Sequence, residues 1–282
     1  TLMDEENTLT SDWGEYSPAT KVAVFNYEVK LENAKFVLTS DTLRYSTDSK
    51  IANIVGPSNI DSEENHIYSE LGFYNTQSGQ AELLNRSVLT NEGKSLTGDS
   101  LFYDRNKGYG EAFRHIEFID TINKNMLTGN YCYYNQLTSY AIATDRAIAT
   151  DFSQGDSLFI HADTLQLFTY FLNTDSVYRE ARACHKVRVY RTDIQAVCDS
   201  LVFSSKDSCL TMYQDPILWN DNQQLLGEEI LVYMNDSTID WAFIQNQALS
   251  VEKIDSVNYN QVSGKEMKAY FKNGEMERVD VN

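Results

Sequence analysis

Hydrophobic residues in this chain recur in a fixed pattern around a short phrase, seen most plainly at residues 96–103 (LTGDSLFY). Apolar side chains stand three positions before, and two and four positions after, an acidic residue such as Asp99. Within each half of the phrase the spacing is two, which is the period of a β-strand. Between the halves the parity changes, and this requires a bulge or a corner near the acidic residue. Each phrase is therefore predicted to be a strand that turns from one sheet into a facing sheet.

The phrase occurs nine times, and the acidic position, here called the register residue, recurs at intervals of 29 to 37 residues. A period in this range is typical of a repeat array rather than of one globular core. The position before the register residue never holds a side chain larger than cysteine, which indicates that a neighbouring layer or backbone approaches closely there. The register residues are Asp12, Asp41, Glu70, Asp99, Asn130, Asp163, Asp199, Glu228 and Lys265.

The second half of each repeat unit, here called the return strand, also has strand character. Small or apolar residues stand 11 and 13 positions after the register residue, as Ala52 and Ile54 do, and polar turn clusters such as 104–108 separate the two halves. Residues 80–89 have local helix propensity, but the equivalent segments of other units alternate as strands do. We therefore predict a strand there too, and the fold class is all-β.

The acidic column favours an antiparallel arrangement of the strands. In a parallel β-helix, equivalent residues stack about 4.8 Å apart, and like charges at that distance repel one another. If each unit is an antiparallel pair, equivalent residues lie about 10 Å apart, close to one Debye length in physiological salt. Seven of the nine register residues are acidic, which fits the antiparallel arrangement better.

The two apolar positions after the register residue, here called the +2 and +4 columns, are predicted to point into the interior. From periodicity alone they form an ordinary sandwich core. A stripe this long could also line a slot for a hydrocarbon ligand. The inward residues that would face such a slot are Leu43, Tyr45, Tyr74, Leu101, Tyr103, Tyr134, Leu165, Leu167, Leu201, Phe203, Ile230 and Val232.

The charge, the longest uncharged segment and the two ends of the chain each exclude or favour one kind of protein. A net charge of −18 argues against a nucleic-acid partner, because phosphate binding requires clustered lysine and arginine. The longest uncharged run, 125–144, is rich in Asn, Gln and Thr and is too polar to cross a bilayer. Both ends fall within the repeat pattern, so we expect 1–282 to be a single continuous array that is part of a longer protein.

Motifs that would carry chemistry are weak. Gly98-Asp99-Ser100-Leu101 and 155–158 match a serine esterase signature, but no histidine follows an aspartate by three residues to supply the base. Calcium binding by the acidic column is an alternative to a solvated ladder or turn caps, although glycine-rich ligand loops are missing. We expect no enzyme activity, no bound metal and no cofactor. The four cysteines are interpreted as buried free thiols, with a Cys198–Cys209 or Cys184–Cys198 bridge as the alternative.

The phrases at 9–16, 38–45 and 96–103, and more loosely at 160–167 and 225–232, resemble the repeat of the organic solvent tolerance (OstA-like) family. Its members include the periplasmic bridge protein of lipopolysaccharide transport and the N-terminal domain of the outer-membrane translocon. Segments such as 108–112 (GYGEA) resemble the family's returning strand. The resemblance covers about residues 9–282. It implies an open, V-shaped β-jellyroll of two antiparallel sheets with lipid acyl chains held between them.

The resemblance implies a non-catalytic, lipid-binding bridge in the periplasm of a Gram-negative bacterium, associated with the outer membrane. Its expected partners are lipopolysaccharide or another acylated lipid, together with other bridge proteins or further copies of itself joined through edge strands. The alternative is an envelope scaffold or adhesin-type array whose interior is a closed core. A carbohydrate-active β-helix enzyme is a more distant alternative, because no clustered acid and base set projects from one column.

Overall fold

The computed structural model describes residues 1–3, 7–34, 36–62, 65–153, 155–235, 238–272 and 275–282. These residues form antiparallel strands, turns and bends, and no helix occurs among them. The all-β prediction is therefore confirmed, and residues 80–89 lie in a strand. Within the described ranges no helix is long and apolar enough to cross a membrane.

The chain divides into two compact units, Thr1–Leu137 and Thr138–Asn282. The strands of unit 1 are β1 (Leu2–Met3), β2 (Asn7–Thr10), β3 (Trp13–Ser17), β4 (Val22–Asn33), β5 (Phe36–Ser46), β6 (Ile51–Ser62), β7 (His66–Asn75), β8 (Gln80–Asn91), β9 (Lys94–Asp104), β10 (Tyr109–Asp120) and β11 (Asn125–Asn135). From β4 to β11 each strand pairs antiparallel with the next. The prediction of one continuous array stays a prediction.

Unit 2 repeats this up-and-back pattern with some long strands interrupted. Its strands are β12 (Tyr140–Asp151), β13 (Leu158–Tyr170), β14 (Tyr178–Tyr190), β15 (Ile194–Ser204), β16 (Cys209–Tyr213), β17 (Ile217–Asn220), β18 (Gln223–Leu226), β19 (Glu229–Asn235), β20 (Thr238–Lys253), β21 (Tyr259–Lys272) and β22 (Glu275–Val281). Strand β15 pairs with both β16 and β17, and β20 pairs with both β18 and β19. Strands β16 and β17 together are therefore equivalent to one long strand of unit 1, and so are β18 and β19 together.

The predicted corner is a bulge in the return strand, directly opposite the register residue. In β10, Phe113 pairs with Ser100 and the pairing resumes only at Glu117 with Thr97, so the strand carries an irregularity beside Asp99. Arg114 and His115 at this point have φ values of 58° and 46°. Left-handed conformations occur as pairs at the same place in other return strands, at Tyr27–Glu28, Asn85–Arg86, Asp145–Arg146, His185–Lys186, Gln214–Asp215 and Asn246–Gln247.

Each left-handed non-glycine residue costs about 1–2 kcal/mol of conformational free energy. Contacts with the register residues offset part of this cost at the corners. His115 Nδ1 lies 2.8 Å from Asp99 Oδ2, and the His115 backbone N–H donates to Asn130 Oδ1 at 3.2 Å. Lys186 Nζ donates to Asp163 Oδ2 at 3.0 Å. The acidic column thus lies along the corners and binds the residues that turn the chain.

The small column, one position before the register residue, packs tightly as its composition predicts. The hydroxyls of Ser40 and Ser58 lie 2.7 Å apart in the interior. A Cβ atom added to Gly227 would lie 2.5 Å from Ile244 Cγ2, which is closer than real contacts allow. Larger side chains would therefore force the neighbouring strand away at these corners.

Candidate functional site

The +2 column forms the floor of the interior in both units. Leu43, Leu101, Leu201 and Ile230 are buried, whereas Leu165 is half-buried and packs against the core of unit 2. In unit 1, Leu43 belongs to the same buried cluster as Leu38, which lies five residues earlier on the other side of the corner. Side chains from before and after the corner therefore face each other, as the change of parity predicts.

The +4 column lies on the same face as the +2 column, because residues two apart on a strand point the same way. Its exposure nevertheless changes greatly along the chain. Tyr103 is 43% exposed and Tyr134 is 49% exposed, although Leu101, two residues before Tyr103, is only 6% exposed. The other members are half-buried (Tyr45, Tyr74 and Phe203), exposed (Leu167) or buried (Val232).

Exposure on an inward face means that the layers stand apart at that level. In unit 1 the tyrosines lie at strand ends away from the corner, so the interior is closed at the corner and is accessible at Tyr16, Tyr103 and Tyr134. Exposed aromatic side chains on an inward face are typical of a binding surface. The five tyrosines that define it are Tyr16, Tyr45, Tyr74, Tyr103 and Tyr134, here called the tyrosine row.

Most of the interior of unit 2 is closed. One cluster of buried residues extends from Ala162 to Phe271 and includes Met212, Ile230 and Ile244, each at most 1% exposed. Val232, in the same column as Tyr103, is 5% exposed. The buried clusters of unit 1 are smaller and lie next to the corners. The +4 column is thus accessible at Tyr103 and Tyr134 in unit 1 and at Leu167 near the start of unit 2, and it is closed at Val232.

The tyrosine row alternates with a second column of very small residues on the return strands. Ala52 pairs with both Tyr45 and Tyr74, and Gly110 pairs with both Tyr103 and Tyr134. A Cβ atom added to Gly110 would meet only Phe102 O at 3.3 Å and one ring carbon of Tyr103 at 3.7 Å. Both atoms belong to the neighbouring strand of the same sheet, so a side chain at Gly110 would press on that strand.

The outer face carries a second set of aromatic residues, which the column analysis missed. The rings of Phe102 and Tyr109 are 5.8 Å apart, and those of Tyr109 and Tyr133 are 5.5 Å apart. In unit 2, Tyr233 stacks on Trp241 at 3.8 Å, and Lys268 Nζ lies 3.9 Å from the Trp241 ring centroid. These positions alternate with the inward columns, so strand periodicity could have identified them.

The serines of the two esterase-like motifs form hydrogen bonds with neighbouring carboxylates. Ser100 Oγ donates to Glu82 Oε1 at 3.3 Å, and the backbone N–H of Ser157 donates to Asp156 Oδ1 at 2.8 Å. Asp99 lies beside His115 at the corner described above. The esterase signature at 98–101 is therefore one copy of the repeat phrase, and its residues stabilise strand and corner.

The surroundings of the cysteines do not favour a reactive thiol, and the described side chains do not form a metal site. All four cysteines are free; Cys198 and Cys209 are buried, and Cys132 and Cys184 are half-buried. Burial raises the pKa of the Cys132 thiol to about 11 and that of Cys198 to about 12, which makes both poor nucleophiles. Among the described ranges there is no group of three or more His, Cys, Asp or Glu side chains placed to hold a metal ion.

These features define a repetitive antiparallel β protein whose first unit exposes Tyr103 and Tyr134 on its inward face. The family model of OstA-like proteins matches residues 1–41 and 61–149, which include most of unit 1. The chain thus carries an OstA-like region, as its repeated phrases indicated.

Among solved structures, the chain is similar to LptH, the LptA homologous periplasmic component of the lipopolysaccharide transport device of Pseudomonas aeruginosa. The identity is 17% and the TM-score 0.37, over 40% of this chain and 93% of LptH. No curated protein matches the sequence.

Proposed function

We propose that this chain is a non-catalytic lipid-binding protein of lipopolysaccharide transport in the periplasm of a Gram-negative bacterium, acting near the outer membrane. The observation that carries the proposal is the exposure of three of the five residues of the tyrosine row, Tyr16, Tyr103 and Tyr134. An inward face that remains accessible offers apolar area to a ligand, and this area gives about 25 cal/mol for each Å² removed from water. The match of the same region to the OstA-like family supports the assignment.

In this proposal the +2 residues form the floor and the +4 residues form the mouth of the binding slot. Leu43 and Leu101 close the slot at the corner, and Tyr103 and Tyr134 border its entrance. Tyrosine suits an entrance because its ring is apolar and its hydroxyl hydrogen-bonds to water or to a polar head group. The acyl chains therefore lie inside and the polar head group outside.

The closed interior of unit 2 favours a second role for that part of the chain. Ile230 and Val232 pack within the core of unit 2 and leave little space for a ligand. Unit 2 is proposed to act as a structural span that supports the lipid-binding unit, which is the envelope-scaffold interpretation applied to one half of the chain.

Lipid extracted from the protein tests the proposal. Protein purified from its native envelope is expected to release an acylated lipid on organic extraction, identified by mass spectrometry. Tyr103→Glu places a carboxylate in the mouth and should remove the lipid, because burying a charge against acyl chains is costly. The matched variant Phe102→Glu changes the opposite face and should keep it. Absence of lipid from the wild type, or equal lipid in both variants, would contradict the proposal.

Edge strands are proposed to join this chain to other bridge proteins or to further copies of itself. Among the described residues β3 pairs only with β4, and β22 pairs only with β21, so each leaves one edge open. Open edges pair with other strands unless they are blocked. A head-to-tail contact of this type is heterologous and need not close, so it yields oligomers that grow with concentration.

A proline in the last strand tests this association. Light scattering across a wide concentration range is expected to show a rising mass for the wild type. Val279→Pro should reduce it, because proline removes a donor and fits poorly in a pairing strand. Val279→Ala controls for the lost packing of the side chain. A strictly monomeric wild type, or a proline variant that associates as well as its parent, would remove edge pairing from the account.

A further inference from the structure

The outward face of unit 1 carries a carboxylate that is surrounded by aromatic rings. Glu111 in β10 pairs directly with Phe102 in β9 and with Tyr133 in β11. Because direct partners in a sheet point to the same face, the two rings stand on either side of Glu111. Tyr109, two residues earlier on β10, lies on this face too, and its ring centroid is 5.8 Å from that of Phe102 and 5.5 Å from that of Tyr133. The three rings therefore enclose Glu111 on three sides.

A further pair of rings forms the fourth side. Phe113, two residues after Glu111, pairs directly with Tyr131, and their ring centroids are 5.4 Å apart. The Tyr131 hydroxyl donates a hydrogen bond of 2.7 Å to Glu111 Oε1. Burial and this hydrogen bond raise the pKa of Tyr131 to about 12, so the hydroxyl remains a donor at neutral pH. The five aromatic side chains around Glu111, here called the aromatic box, are Phe102, Tyr109, Phe113, Tyr131 and Tyr133.

The aromatic box is accessible to solvent, and its carboxylate is not neutralised by a base of the chain. Phe113 is 36% exposed, and the other four rings and Glu111 are half-buried. In the part of the chain that the structure describes, Glu111 forms no ion pair, whereas Asp104 has Lys107 at 3.7 Å. The net charge of −18 adds a field that attracts cations to the protein. The box thus offers a negative charge and ring faces to a cation from solution.

Unit 2 shows how a cation packs on this outward face. At the position equivalent to Glu111, β14 has Arg182, which pairs with β13 as Glu111 pairs with β9. The Arg182 guanidinium carbon lies 4.5 Å from the ring centroid of Phe168, and Lys268 Nζ lies 3.9 Å from that of Trp241. Among the described residues of unit 1, no lysine or arginine lies over a ring in this way. Unit 1 therefore has a carboxylate beside its rings where unit 2 has a cation of its own.

The distance between the rings of Phe102 and Tyr133 selects among cations. The two residues are two strands apart, so their side chains stand about 10 Å from each other. A cation midway between them lies about 5 Å from each ring, within the range of about 6 Å over which a ring face attracts it. Lys268 Nζ lies 3.9 Å from the ring centroid of Trp241, so a bare ammonium cannot touch both rings of the box at once. N-methyl groups enlarge the ion by about 1 Å on each side and bring it into contact with both rings.

We propose that the aromatic box binds a small quaternary ammonium ion, with Glu111 supplying the opposite charge and Phe102 and Tyr133 supplying the two ring faces. Aromatic side chains recognise such ions in proteins through the negative faces of their rings. Phe102 and Tyr133 point away from Tyr103 and Tyr134, because neighbouring residues on a strand point to opposite faces. The site therefore goes beyond the proposed function and needs no bound lipid.

Choline tests the proposal, with its binding to the full chain measured by saturation-transfer NMR of the methyl protons. Choline is expected to bind saturably and about fivefold to tenfold more tightly than ethanolamine, whose bare ammonium contacts only one ring. Glu111→Gln removes the charge and Phe102→Leu removes one ring, and each should weaken choline binding about fivefold to tenfold. The matched control is Glu117→Gln, the same change on the same strand between Thr97 and Thr128, which should bind choline as the wild type does.

Circular dichroism and thermal unfolding establish that each variant is folded. Absence of saturable choline binding to the wild type, or equal affinity for choline and ethanolamine, would overturn the aromatic box. Unchanged binding in Glu111→Gln and Phe102→Leu, or an equal loss in Glu117→Gln, would also contradict it. Lipid extracted from Glu111→Gln is expected to match that from the wild type, so the proposed function and this inference succeed or fail separately.

Discussion

Replacing Ile244 by alanine is expected to lower the free energy of unfolding of unit 2 by about 2–5 kcal/mol. Ile244 is 0% exposed and packs within the largest buried cluster, so the truncation leaves a cavity that the surrounding strands cannot fill. Damage should stay in that unit, because repeat arrays are coupled mainly through nearest neighbours. Calorimetry should show the transition of unit 2 at a lower temperature and that of unit 1 nearly unchanged.

Tyr103→Ala is the matched truncation in unit 1. Its side chain is large, but 43% of it is exposed, and one of its two partners in the sheet is Gly110, which has no side chain. Removing it should therefore cost less than about 1 kcal/mol, as substitutions away from a packed core do. If Tyr103→Ala destabilised the protein as much as Ile244→Ala, the interior of unit 1 would be a closed core and the slot would not exist.

The corner could be predicted from the sequence because a change of parity is a local property of one strand. Apolar residues stand three positions before Asp99 and two and four positions after it. This change of parity predicts that the buried face of the strand changes near Asp99, and the bulge in the return strand lies opposite that residue. The left-handed residues of that bulge could not be predicted. Arg114 has no special preference for positive φ and His115 has only a modest one, and contacts from Asp99 and Asn130 on neighbouring strands hold His115 there.

The accessible and closed parts of the interior could not be distinguished from the columns alone. Tyr103 and Val232 occupy the same place in the phrase, and both read as inward apolar residues. Their exposure depends on the side chains that pack over them, which the phrase itself does not contain. In unit 2, Val232 pairs with Leu210 and Ala242 and lies in the large buried cluster, whereas Tyr103 pairs with Ala81 and Gly110 and is 43% exposed.

The outer aromatic residues show a further limit of the column analysis. Phe102 and Tyr133 alternate with inward residues and belong to neither column, but each ring centroid lies within 6 Å of that of Tyr109. A second aromatic stripe therefore lies on the face opposite the inward columns. Alternation separates the faces, but it does not say which of them binds a ligand.

The two faces also supply the most direct test of lipid binding. Benzoylphenylalanine, a photo-crosslinking amino acid of aromatic size, is introduced at Tyr103 or Tyr134 on the inward face. It is introduced at Phe102 or Tyr133 on the outward face as a matched control, one residue away on the same strand. Leu43, Leu101, Leu165 and Leu201 serve as further inward positions, with Thr42 and Thr164 as their polar neighbours.

After illumination in the native envelope, mass spectrometry identifies any lipid joined to the protein. The account predicts strong labelling by an acylated lipid at Tyr103 and Tyr134, weaker labelling at Leu43 and Leu101, and almost none at Phe102 and Tyr133 or at Leu165 and Leu201 of unit 2. Equal labelling of the two faces would indicate adhesion to a lipid surface instead of a slot. Absence of labelling at every inward position would contradict the central claim and leave a closed scaffold.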